Sequence, residues 1–139
     1  MLRYALIHPG LISALASAGH GSTVLLADAN YPHATGVRPG APVVHLNLRP
    51  GQVPVDDVLE TLLTAVPVER ARVMIPGDGP DPEVFGRFRE LLGDVPLEQL
   101  ERFAFYDAAR GPDLAVAVAS GDQRLYANVL LTIGVVPPG

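Results

Sequence analysis

The sequence predicts an α/β fold, a single-domain layered α/β/α sandwich around a mainly parallel sheet. Three observations carry that expectation. A length of 139 residues fits one domain. Strand-like apolar runs alternate with amphipathic helical ones, the pattern of interleaved layers. No internal repeat or linker interrupts it. Hydrophobic content of 48% with 18% charged residues describes a well-cored chain and argues against disorder. The 14 Gly and 14 Pro place tight turns and stiff loops between the elements.

The elements follow in order. Pro9–Ala18 reads as a short helix, with Pro at its first position, a stripe of Leu11, Ile12 and Leu15, and Gly19 to end it. Thr23–Ala27 is a buried strand. Asp28–Gly40 is a polar loop too long for a simple turn, and loops of that kind often bind ligands. Pro42–Asn47 is a second strand. Asp56 or Asp57 opens a helix to about Val66, apolar at Val58, Leu59, Leu62 and Leu63. Arg72–Ile75 is a strand, and PGDGPDP after it is turn chemistry. An amphipathic helix runs from Pro82 to Leu92, and another from Leu97 to Arg110. Leu114–Ala119 is a strand, Gly121–Asp122 a turn, and Tyr126–Ile133 the last strand.

Composition excludes several classes of function. The net charge is −5 and the chain has no lysine, so no basic cluster exists to neutralise a nucleic-acid backbone. The absence of Cys removes disulfides and thiolate metal sites. No run approaches a membrane span, and MLRYALIHPG lacks a signal peptide's apolar core, so the cytoplasm is the expected location. There is no P-loop, no G-x-G-x-x-G and no G-x-S-x-G.

The chemistry concentrates around GHGSTVLLADANYP, residues 19–32. His20 stands between two glycines at the strand's entry, where backbone can approach a ligand and an imidazole can serve as acid or base near neutrality. A solvent-facing His after a helix is the competing account. Asp28 follows the strand, as a site carboxylate or as a turn former. His33 and His45 lack metal-ligand spacing with His20, so no metal site is expected, and His8 reads as a helix-entry residue. Phe103–Tyr106 holds three aromatics, and Arg102 and Tyr106, four apart, share a helical face. Tyr126 and Asn128, two apart in the expected strand, share a strand face. An Asn among apolar strand residues needs a hydrogen-bonding reason.

Together, the opening LIHPGLISALASAGHG, then GHGSTVLLADANYP, DPEVFGRFRE, ERFAFYDAAR and YANVLLTIGVV resemble the D-ribose pyranase / L-fucose mutarotase family nearly end to end. The RFAFY segment resembles the fucose branch more. The resemblance implies a sugar mutarotase that interconverts anomers or ring forms of a free monosaccharide, such as L-fucose, without cofactor or metal. By position it implies His20, Asp28 and Tyr126 as catalytic residues and Arg102, Tyr106 and Asn128 as sugar-binding ones. It also implies a ring-shaped homo-oligomer, a pentamer or decamer, with sites between neighbouring subunits. A non-catalytic sugar-binding or transport-associated protein is the alternative. The sequence departs from the family at Ser22, where an acidic residue is usual, and at Leu125, where Pro is common. Thr132 and Ile133 stand where a basic residue is usual near Gly134, and the loop His33–Pro39 is unlike the family's.

Overall fold

Thr23–Ala27, strand β1, is buried along its whole length, as its unbroken apolar run requires. The computed structural model describes residues 1–139 and builds the remaining elements around this strand. Helix α1 (Pro9–Ser17) precedes it; β2 (Val43–His45), α2 (Val55–Leu63), β3 (Val68–Met74) and α3 (Val84–Leu92) follow. Then come β4 (Leu97–Leu100), α4 (Arg102–Ala109), β5 (Leu114–Ala119) and β6 (Val129–Ile133). The six strands form one sheet in the order β2-β5-β1-β6-β3-β4. Pairs β1–β5, β2–β5 and β3–β4 are parallel, and only β6 runs against its neighbours β1 and β3.

The expected α/β/α layering holds. Along β1, Val24 and Leu26 face α1, α2 and α3, and share a core with Leu11, Leu59, Phe85 and Phe88. Leu25 and Ala27 face the other way, where α4 supplies Phe105 and Ala109 and the 28–40 loop supplies Tyr31 and Val37. The two-residue period of a strand thus feeds both layers from one run.

Helix boundaries follow local chemistry. His8 caps α1, its Nδ1 accepting the Leu11 N–H at 3.3 Å. Helix α2 starts a residue before the expected Asp56, because the Val55 N–H donates to the Asp122 carboxylate at 2.8 Å. Gly93 ends α3 at φ 59.

Three expectations need correction. Leu97–Arg110 is not one helix. Leu97–Leu100 pairs with β3 as an edge strand, locked by the Arg70–Glu98 ion pair at 2.8 Å, and Glu101 then caps α4 by accepting the Ala104 N–H at 2.7 Å. Its good helix formers are overridden by sheet pairing. Strand β3 begins at Val68, four residues before Arg72, because its polar first half pairs with β6. The last strand begins at Val129 rather than Tyr126: Tyr126 adopts φ 62, a left-handed conformation that no strand contains. Tyr126 and Asn128 therefore do not share a strand face, and the tight turn of this connection falls at Arg124–Tyr126 rather than Gly121–Asp122.

Asp122 joins several of these connections. Its carboxylate accepts from the Val55 amide, the Arg124 amide at 3.0 Å and the Arg124 guanidinium, which also pairs with Asp56. Its carbonyl accepts the Ala29 N–H at 2.9 Å. Burial opposes ionisation here, but the bonds from Arg124 and Val55 prevail and hold this carboxyl below the usual carboxylate range. Next to it, a Cβ on Gly121 would collide with the backbone carbonyls of Gln52 and Arg49.

Two outcomes are expected in denaturant unfolding. Gly121→Ala destabilises by about 1–3 kcal/mol, because backbone rather than a yielding side chain must move. Asp122→Asn costs about 2–3 kcal/mol at neutral pH. A depressed folded-state pKa gives stability that is present above the unfolded-state pKa and lost as pH falls through the folded one. The gap between Asp122→Asn and wild type therefore closes below about pH 4.

Candidate active site

The expected site residues fall into two groups, one at each end of β1. At the entry, Gly21 at φ 85 turns the chain, and its N–H donates to the Ile133 carbonyl at 2.9 Å. The Ser22 carbonyl accepts the Ile133 N–H at 2.9 Å, so the turn is clamped to the end of β6. On this turn the His20 side chain is 58% exposed, with Nε2 3.0 and 3.1 Å from the two carboxylate oxygens of Glu69. A carboxylate only accepts, so in the neutral ring Nε2 carries the proton and Nδ1 is bare.

At the exit, Asp28 is buried at 3% exposure. Its N–H donates to Asn128 Oδ1 at 2.8 Å, and its own Oδ1 accepts the Asn30 N–H at 2.9 Å. Burial raises the Asp28 carboxyl above the ordinary value despite these amides, and the nearby Asp122 charge adds to the rise. The hydrogen-bonding reason demanded by Asn128 is therefore present: it pins the backbone at Asp28.

Aromatic groups surround this end. Tyr31 packs edge-on against Phe105 and Tyr106, with ring centroids 6.3 and 5.6 Å away, and its hydroxyl donates to the Gly36 carbonyl at 2.6 Å. Tyr106 carries the Arg110 guanidinium over its ring at 5.6 Å, so its cation–π partner is Arg110. Arg102, at the start of α4, is exposed. Tyr126, partly buried, packs on the α4-side core and borders a cleft of about 390 Å³ with Arg124 and Leu125. A second, polar cleft of about 370 Å³ opens beside Ala29 and Asn30, walled by Asn47, Arg49, Gly121 and Gln123. Both clefts adjoin loops that leave the carboxyl ends of parallel strands, where open α/β sheets place ligands.

The structure thus brings Asp28 and Asn128 together and leaves His20 apart. The five residues of β1 alone set the two groups at least about 13 Å from each other. His20, His33 and His45 do not converge, and no three His, Asp or Glu side chains are arranged to hold a metal ion. His33 instead donates Nε2–H to the Asp28 carbonyl at 3.0 Å, and its Nδ1 is buried without a partner. Burial pushes the His33 imidazole down, towards its neutral form. Sequence reasoning missed Glu69, Arg110 and this role of His33. Glu69 lies in the polar first half of β3, which carries no strand pattern of its own, and its pairing with His20 spans 49 residues.

The comparisons bear on this geometry. The model of the RbsD / FucU transport protein family matches residues 1–136. Fucose mutarotase of Danio rerio is 33% identical over 96% of this chain and 92% of its own length, and that of Mus musculus is 32% identical over the same shares. Among solved structures, fucose mutarotase of Streptococcus pneumoniae in complex with L-fucose superposes with a TM-score of 0.84 at 26% identity, covering 99% of this chain and all (100%) of that one. The Bacillus subtilis RbsD complexed with D-ribose shares the fold with a TM-score of 0.86 at 24% identity, covering 99% of this chain and 100% of its own. With its fold, its β1-centred motifs and nearly its whole length accounted for, the chain belongs to the RbsD/FucU family.

Proposed function

We propose that this chain is a monosaccharide mutarotase, an isomerase acting on L-fucose or a closely similar aldose in the cytoplasm. The observation that carries the reading is the Asp28–Asn128 pair. It is a carboxyl that burial raises above its ordinary value, beside the Tyr31–Tyr106 aromatic cluster that carries Arg110, in a chain similar over nearly its whole length to fucose mutarotases.

Mutarotation moves protons and breaks one ring bond. A base takes the anomeric O–H proton while an acid delivers a proton to the ring oxygen. The C–O ring bond breaks, a carbonyl forms and rotates, and the same steps in reverse close the ring. Because the reaction already proceeds in water, positioned proton transfer worth about 10²–10⁴ suffices. In this reading His20 is the principal acid/base, Tyr126 the second proton-transfer group, and Asp28 orients or accepts from a sugar hydroxyl. Arg102, Tyr106 and Asn128 bind the remaining hydroxyls. The strain of a non-glycine residue at φ 62 fits a side chain aimed at a ligand.

His20 and Asp28 lie at opposite ends of β1, whose five residues span about 13 Å, so the reading brings them to one sugar across two copies rather than within one. On the resemblance to the family, the reading includes a ring-shaped homo-oligomer, a pentamer or decamer, in which His20 of one copy meets the Asp28 end of the next. Exposed Leu48, Phe103 and Leu125 on the loops and helix near that end support such an association.

Saturation-transfer NMR on L-fucose and D-ribose at equilibrium tests the activity. Anomer exchange above the buffer rate is expected with L-fucose, and His20→Ala lowers the enzymatic part about 10²–10⁴-fold. Sugar binding without faster exchange would make the chain a binding or transport-associated member instead. Mixing and reassembling inactive His20→Ala with inactive Asp28→Ala copies is expected to recover part of the activity. Mixed rings contain some sites with both wild-type groups, whereas a site built within one copy recovers none.

A further inference from the structure

At the entry turn of β1 no acidic residue flanks His20 in the sequence, since Gly19, Gly21 and Ser22 stand around it. Yet His20 is not without a carboxylate. Glu69 reaches it from β3, with both oxygens at 3.0–3.1 Å from Nε2.

The backbone is shaped to make this contact. Between β3 and β6 the register slips: Val68 lies opposite Ile133 and Arg70 opposite Thr132, leaving Glu69 as the extra residue. A bulge of this kind re-aims one side chain out of the ladder. The neighbouring Arg70 turns to Glu98 at 2.8 Å, so the two carboxylates do not compete for one partner. Gly134 lies beside the bulge, where any Cβ would stand 3.4 Å from that of Glu69. With side chains 58% and 46% exposed, the pair adds little to folding stability, so its consequence is for the ring rather than for the fold.

We propose that Glu69 is the positioning residue for His20, supplied from β3 because the entry turn itself carries no acidic side chain. It holds Nε2–H and thereby fixes the ring's orientation and tautomer, leaving Nδ1 as the nitrogen that exchanges protons with substrate. The proposal rests on His20 being the acid/base of the proposed function.

The test compares wild type with Glu69→Ala by 15N NMR of the histidine side chains and by sugar-exchange kinetics. Wild type is expected to show one His20 tautomer, protonated at Nε2. Glu69→Ala is expected to populate both tautomers and to lose about tenfold or more in kcat with KM little changed. Glu69→Gln, whose carboxamide oxygen can still accept the Nε2–H, is expected to keep the single tautomer and most of the rate. An unaltered His20 spectrum in Glu69→Ala overturns the proposal, as does an unaltered kcat. If wild type accelerates no sugar, the proposed function fails, and the spectrum alone then decides whether Glu69 holds the ring.

Discussion

A buried carboxylate, that of Asp122, sits where the connections at the exit end of the sheet converge. It occupies the N-terminus of α2 through Val55, holds Arg124 and through it Asp56, and its carbonyl takes the Ala29 amide just past β1. The Ser120 hydroxyl extends the set by donating to the Ala27 carbonyl at 2.7 Å. The loop after β1, the start of α2 and the turn carrying Tyr126 therefore share one set of charge-assisted hydrogen bonds. Loops have few apolar contacts of their own to fix them. Here ionic and backbone bonds do that, and the placement of both Asp28 and Tyr126 follows from them.

The two ends of β1 are built on contrasting terms. The exit end is buried, its carboxyl desolvated and its amides satisfied, so its groups are held in place before any ligand arrives. The entry end is exposed, with His20 on a glycine turn and a single carboxylate beside it. The exit end is thus desolvated and the entry end accessible, although its turn is clamped to β6 and its imidazole is held by Glu69. Neither His20 nor Asp28 is among the residues that wall the two clefts at the exit end.

Much of the fold was legible because burial leaves a periodic mark. The continuous apolar run of β1, the stripe of α2 and the amphipathic segment ending at Leu92 all correspond to elements of the structure. Misreadings arose where tertiary pairing overruled local preference. LEQL carries helix formers yet pairs with β3, and VERA is too polar to read as strand until β6 is beside it. The site was legible only in part, for the same reason. His20 and Asp28 stand out beside glycines and a strand end. Glu69, by contrast, owes its position to a bulge, and a bulge has no signature in the sequence of either strand alone. The left-handed turn at Tyr126 was equally invisible, since nothing about a tyrosine announces positive φ.

The sheet is bounded by very short strands, β2 with three residues and β4 with four. Each presents few free amides and carbonyls to a neighbouring molecule, and β4 has charged Glu98 in its middle. Such margins are poor templates for strand addition, the route by which α/β chains aggregate at high concentration. Association through these margins is disfavoured, which leaves side chains on loops and helices, where geometry selects a partner, rather than the indiscriminate hydrogen bonding of an open edge.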